Sequence, residues 1–360
     1  MRRFWVITAA LFLVAIVIGC GGGSGSSNSN LLYVADSGAS DISIFKIGSD
    51  GSLSSTASST LSTGNPPIAF VLRPDKKFLY LLRSSNNDVQ IYSIDSKTGA
   101  LTFSSSVATN TITPRAIAIN SAGTFLYVSS SGSTNVSAYT IDSSSGGLTA
   151  VSGSPYALPA GASSLAVSPS GKYLFAAVTD RGAVYGFQID SSSGGLTRIV
   201  GSPFSAGIGP TALAIAPNES FVYVTDNFST RIYAFSIQSG SGILFSVVGS
   251  PFSVGSNPSS IAIDSSSAHL YVANQNSSNV SAYSIDSQGA LSQLSGSPYS
   301  VGTTPVFVAL SPSGNALYVA NHSSNTINQF QVSSSTGQLT SFSTSTISTS
   351  SGPIWMSVTK

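Results

Sequence analysis

Few residues of this 360-residue chain could do chemistry: two histidines, one cysteine, 14 Lys and Arg together and 13 Asp and Glu together. His322 with Asp36 is the candidate catalytic couple. A carboxylate can orient an imidazole, and an imidazole titrates near neutral pH, so the pair could serve as a general base. Arg83 and Arg115 are candidates for holding a carboxylate or another anion with a forked guanidinium. Arg181, Asp226, Asn274 and Asn321 complete the ligand-binding candidates, with Asp180 beside Arg181. Asp and Asn also have a purely structural use as turn formers that bond the local backbone. His269 is expected to be exposed in a turn on the opposite face. Two histidines and one cysteine do not make a zinc site of the usual kind, and no dense acidic loop suggests calcium. No G-x-S-x-G elbow stands between a strand and a helix, so neither metal nor cofactor is expected.

An internal repeat is what relates these residues to one another. The aromatic of a recurring LYV(A/T)(N/D) segment falls at Tyr33, Tyr80, Tyr127, Phe175, Tyr223, Tyr271 and Tyr318, spaced 47 or 48 residues apart. A second aromatic follows twelve residues later in every unit, at Phe45, Tyr92, Tyr139, Phe187, Phe235, Tyr283 and Phe330. Three residues past the first aromatic stand Asp36, Arg83, Ser130, Val178, Asp226, Asn274 and Asn321, one column holding most of the candidates.

Each unit carries four strand signals. The first is a near-continuous apolar run such as Ala116 to Ile119, headed in most units by a proline such as Pro114, Pro210 or Pro258, and suits a strand buried on both faces. Ser-Pro-Ser-Gly at 168–171 and 311–314 then fits a type I turn. The LYV segment is the second strand. The third alternates, as in Val280 to Ile285, which suits one exposed face. A glycine turn, a short fourth strand and Gly-Ser-Pro-aromatic at 153–156, 201–204, 249–252 and 296–299 close the unit.

Four antiparallel strands per unit predict an all-β propeller. The repeat is also split. It starts at a second strand, Leu31 to Val34, and ends on Gly352 to Val358, which matches a first strand. The expectation is a seven-bladed β-propeller over residues 31–360, its C-terminal strand pairing with the N-terminal blade so that no sheet edge stays open. Loops before the first strand and between the second and third would surround the channel on one face, where the candidates gather.

Charged residues make up 8% of the chain, against roughly 25% in ordinary soluble domains. Such a neutral surface lacks the electrostatic footprint of nucleic-acid binding. At the start, Arg2 and Arg3 precede an apolar run from Phe4 to Ile18, which is signal-peptide anatomy and falls short of the roughly 20 residues a spanning helix needs. Val17-Ile18-Gly19-Cys20 resembles the bacterial lipobox. That resemblance implies a signal peptide over 1–19, acylation of Cys20 and a Gly/Ser tether over 20–30 that behaves as a flexible coil. The expected address is extracytoplasmic, anchored by lipid in the bacterial envelope, at the outer membrane or in the periplasm. With its one cysteine acylated, the chain can form no disulfide.

Segments such as Ser311 to Asn321 with Thr336 to Leu339, and Leu270 to Asn274 with Gly289 to Leu291, resemble YVTN-type propellers. They equally resemble the seven-bladed lactonase family that includes bacterial 6-phosphogluconolactonase. The recurring residues are those that build a blade, so the resemblance implies a fold before it implies a function. The expected function is a monomeric binding or interaction scaffold at the envelope, its partner an envelope protein, a glycan or a small ligand. The alternative, implied by the resemblance, is a lactonase opening a lactone ring outside the cytoplasm, with His322, Asp36, Arg83 and Arg115 as participants. 6-Phosphogluconolactone itself fits poorly, being cytoplasmic and strongly anionic.

Overall fold

The LYV segments are the centre of each blade because nothing in them tolerates water. All six residues are buried in every copy, Leu31–Asp36, Phe78–Arg83, Phe125–Ser130, Tyr173–Val178, Phe221–Asp226, His269–Asn274 and Ala316–Asn321. A strand covered on both faces needs a blade on either side, and a ring supplies that for every copy. The computed structural model describes residues 30–83, 85–109 and 111–359, and has seven separate antiparallel sheets. The expected signal peptide, Cys20 and all of the tether but Asn30 lie outside the described residues.

Blades are numbered here in the order of their LYV strands. In each, the first strand is innermost, followed outward by the LYV strand and the third and fourth strands. Blade 1 closes the ring as its split repeat demands. Pro353–Val358 pairs antiparallel with Leu31–Asp36, with Leu32 opposite Val358 and Val34 opposite Met356. Leu31 N–H donates to Thr359 Oγ1 at 2.8 Å, Thr359 N–H donates to the Leu31 carbonyl at 2.9 Å, and Ser37 N–H donates to the Gly352 carbonyl at 2.9 Å.

Adjacent blades are stitched by the first aromatic column. Tyr33 donates its hydroxyl proton to the Gly99 carbonyl at 2.8 Å, and Tyr80, Tyr127, Tyr223, Tyr271 and Tyr318 do the same to Gly146, Gly194, Gly289, Gly337 and Gly51. Each accepting glycine has a positive φ, and a Cβ there would strike a side chain of the neighbouring blade. Both constraints favour glycine. Phe175 is the exception, with no hydroxyl to donate.

The outer edges come in two kinds. In blades 3 to 6 the edge is broken: a three-residue strand such as Leu148–Ala150 stops, and a two-residue strand such as Tyr156–Ala157 resumes on the same neighbour. Gly-Ser-Pro lies in the gap, and its serine fills the lost ladder bond. Ala138, Gly186, Ala234 and Ala282 donate their N–H groups to Ser154, Ser202, Ser250 and Ser297 Oγ at 2.9 to 3.0 Å. In blades 1, 2 and 7 one long edge strand runs through with a bulge: Leu53–Ser62, Leu101–Ala108 and Leu339–Ser348.

Helix is nearly absent among the described residues, apart from a single 3-10 turn at Thr179–Arg181. Two expectations are overturned. The third strands are covered on both faces over most of their length, as at Val280 to Tyr283, and not exposed on one. His269 is buried, because its ring packs against Gly337 of the next blade and its Nδ1 meets Asp264 Oδ2 at 2.7 Å. It is a linchpin of the turn between the first and second strands of blade 6.

Candidate functional site

The first strands bring the ring positions together. Opposite Val34, Leu81, Val128, Ala176, Val224, Val272 and Val319 stand Met356, Phe70, Ile117, Leu165, Leu213, Ile261 and Val308. Two residues before each of these lies a seven-membered ring: Ile354, Ile68, Arg115, Ser163, Thr211, Ser259 and Val306. All seven line one cavity of about 550 Å³ at the channel mouth, within the size range of small-molecule sites.

The ring has two unlike arcs. Blades 3 to 6 contribute Arg115, Ser163, Thr211 and Ser259, whereas blades 7, 1 and 2 contribute Val306, Ile354 and Ile68. One residue deeper, the second arc adds Phe307 and Trp355, whose ring centroids are 4.5 Å apart with planes at 43°. Trp355 is fixed by its Nε1–H, which donates to the Phe70 carbonyl at 2.8 Å. Small residues (Ala116, Ser164, Ala212 and Ser260) hold that depth on the first arc. Asn227, Asn257 and Gln275 complete the rim, with Asn257 Nδ2 donating to Gln275 Oε1 at 3.0 Å. The cavity therefore sets an aromatic wall against a row of hydroxyls and amides. Arg115 is exposed and is the one charged residue of the described lining.

Most of the other sequence candidates do a different job. The column three residues past the first aromatic is buried throughout, and its members lock the loop between the second and third strands. Asp226 accepts N–H bonds from Ile208, Phe228 and Ser229. Asn274 Nδ2 donates to Asn279 Oδ1 and Ser281 Oγ, both at 2.8 Å, and Asn321 Nδ2 donates to Asn328 Oδ1 at 2.8 Å. Ser130 donates to the Ile112 carbonyl. The expectation for Arg83 changes most. Its guanidinium forks onto Asp88, Nε to Oδ1 at 2.9 Å and Nη2 to Oδ2 at 2.5 Å, with Nη1 on the Thr63 carbonyl. With three of its five N–H groups so used and its charge paired with Asp88 in the interior, Arg83 locks a loop and is not an open anion site. Asp180 and Arg181 are exposed on the 3-10 turn, with Arg181 Nη2 donating to the Pro159 carbonyl at 3.3 Å.

His322 and Asp36 do not meet in the cavity. His322 is half-buried, with its Nε2 turned to Gly352 of the closing connection. Asp36 is fully buried and accepts the Ser43 hydroxyl at 2.6 Å through Oδ2, while its Oδ1 has no partner among the described residues. Burial, reinforced by the charge of Asp41, pushes its carboxyl up to about 7, against the pull of the Ser43 bond. Neither residue lines the cavity. Sequence reasoning had singled out Arg115 but missed Ser163, Thr211, Ser259, Phe307 and Trp355. Thr211, Ser259, Phe307 and Trp355 fall within two residues of the proline that heads each of their first strands, whereas Ser163 stands just before the head of its own.

Fold and channel together define a class: a closed seven-bladed propeller with a pocket, carrying a single cation, where its first strands converge. The chain belongs to the family described as Lactonase, 7-bladed beta-propeller, whose model matches residues 24–106, 56–162 and 164–357. No curated protein matches it. Among solved structures it is similar to a candidate 6-phosphogluconolactonase from Bacteroides fragilis NCTC 9343, with TM-score 0.82, 18% identity, and 94% of this chain and 100% of the other covered. It is similar also to a periplasmic gluconolactonase of Pseudomonas aeruginosa, with TM-score 0.80, 20% identity, and 92% and 99% covered. A more distant likeness, to the hydrazine synthase of Kuenenia stuttgartiensis, has TM-score 0.61 at 18% identity over 80% and 88% of the two chains. At these identities the structures share a fold, and the argument for activity rests on the site.

Proposed function

We propose that the channel mouth binds an uncharged, sugar-derived lactone and promotes its ring opening, in a protein held by lipid at the bacterial envelope. The two-sided cavity carries this reading. A sugar lactone presents C–H surface to Trp355 and Phe307, and hydroxyls to Ser163, Thr211 and Ser259. A single cation suits a substrate that is neutral and a product that is an anion. The names of the Bacteroides and Pseudomonas relatives both support lactone opening, and only the second supports an unphosphorylated substrate, while the basic, apolar leader before Cys20 supports the address.

In the proposed reaction Arg115 donates to the lactone carbonyl oxygen. Hydroxide, or water that gives up a proton to solvent, adds to the carbonyl carbon, and the oxyanion that forms is held by the guanidinium. The bond from that carbon to the ring oxygen then breaks. The ring oxygen takes a proton from water, the new carboxyl gives its proton to the hydroxide left behind, and the hydroxy acid leaves as its carboxylate. The described lining holds no imidazole or carboxylate, so the chain supplies positioning and charge stabilisation while solvent supplies the base. The test is steady-state hydrolysis of glucono-δ-lactone in a pH-stat, where turnover unchanged by His322→Ala is expected. Absence of turnover would remove the hydrolase reading. Binding without reaction, the second reading, would then need gluconolactone retention in equilibrium dialysis, and the missing general base is what favours it.

A further inference from the structure

On the face opposite the channel mouth, a hollow of about 480 Å³ between blades 1 and 2 is lined by Lys46, Lys76, Lys77 and Lys97 over a floor that includes Leu31 and Tyr33. These are four of the 12 basic residues that follow Cys20. None lies within 4.0 Å of a carboxylate among the described residues. The two aspartates at the rim are occupied. Asp95 caps its own turn, accepting from Thr98 N–H and Oγ1 at 2.8 Å, and Asp75 accepts Lys77 N–H at 3.1 Å and faces Arg73 at 3.6 Å. Four lysines against two aspartates leave the hollow with a net positive charge on a molecule that is otherwise close to neutral.

Lys76 adds an independent observation. It has φ 62°, in the left-handed region, at a turn position where Gly123, Gly171 and Gly314 stand in other blades. A side chain there is strained. Blades 5 and 6 also place a side chain at this position, and each bonds a neighbour: Glu219 accepts Ser170 N–H, and Ser267 accepts Asn218 N–H at 3.1 Å. Lys76 has no such partner to account for its presence.

We propose that this hollow binds a phosphate-bearing anion. Lysine ammoniums are point charges suited to phosphate, and several around one cavity match a multiply charged group. The source of the phosphate is either an anionic lipid headgroup or a soluble phosphorylated ligand. The lipid source rests on the proposed anchor. The chain enters the fold at Leu31, in the floor of the hollow, eleven residues after Cys20.

Residues 30–360 hold every described strand and close their own ring, so they serve as the test protein. Pelleting with phosphatidylcholine vesicles, with and without phosphatidylglycerol, tests the lipid source, and calorimetry with inorganic pyrophosphate tests the soluble one. Binding in either arm is expected, weakening with salt. In Lys46→Gln/Lys76→Gly/Lys97→Gln it should fall roughly tenfold to a hundredfold, while Lys172→Gln binds as the parent does. Lys76→Gly alone should weaken binding yet raise the melting temperature, which a folding defect would not do. No binding in both arms overturns the proposal, as does binding that the triple variant leaves intact.

Discussion

Blades 3 to 6 and blades 7, 1 and 2 share every feature of the common core, yet they differ at both ends of each sheet. On the first arc the outer edge is broken by Gly-Ser-Pro and the channel ring is polar. On the second the edge strand is continuous and the ring is apolar and aromatic. The lesson is that the middle strands specify a blade, whereas the inner and outer strands are free to vary. Function uses the inner freedom, because a pocket needs unlike walls that a perfectly regular ring would not supply.

The comparison breaks most severely at Arg115. If the polar arc stabilises an oxyanion, Arg115→Ala lowers kcat for lactone opening by roughly 10² to 10³. The corresponding change on the other arc, Ile354→Ala, should chiefly raise KM. Equal losses in kcat from both would erase the division of labour between the arcs.

The next effect belongs to the ring closure. Asp36 occupies the position of Asn274 and Asn321, and its carboxyl is pushed up from 3.8 to about 7. Between those values the folded chain keeps a proton that the unfolded chain has released, so stability falls as pH rises through the window and the full cost remains above it. Asp36→Asn should therefore be neutral below about pH 4 and stabilise by roughly 2–4 kcal/mol above pH 7. Urea melts at pH 4 and pH 8 give the comparison, and a pH-independent difference would contradict the burial of an ionisable carboxyl.

Smaller effects sharpen the outer half of the comparison. Ser250→Ala leaves the Ala234 N–H without its acceptor and should cost about 1–2 kcal/mol in chemical denaturation. Ser105→Ala, in the continuous edge of blade 2, where the serine is exposed, should cost little by the same measurement. Smallest is Phe175→Tyr, which supplies the hydroxyl that six other blades use and should gain about 1 kcal/mol or less. Loss of stability instead would mean that Gly242 does not stand where Gly289 and Gly337 do.

Much of this fold was legible because a strand buried on both sides and repeated every 47 or 48 residues leaves few alternatives. The loose ends at Leu31 and Val358 foretold the closure. The site was legible only in part. Arg115 stood out as a charge in an apolar run, but the column of Asp36, Asp226, Asn274 and Asn321 reads identically as loop lock or ligand contact, since both need the same acceptors and donors. Burial decides between them, and burial belongs to the assembled ring. Arg83 shows the same limit. Its partner Asp88 lies only five residues away, but which way the guanidinium turns depends on the strand register. Trp355 and Phe307 were hidden for the opposite reason, as apolar residues that sequence alone assigns to the core.

The pH dependence of kcat/KM for glucono-δ-lactone tests the central claim most directly, once the spontaneous rate is subtracted. A channel mouth that polarises the carbonyl and leaves the base to solvent predicts a rate that rises steadily with pH through neutrality and collapses in Arg115→Ala. A profile that titrates between pH 6 and 7 and disappears with His322→Ala would return the chemistry to an imidazole and contradict this account.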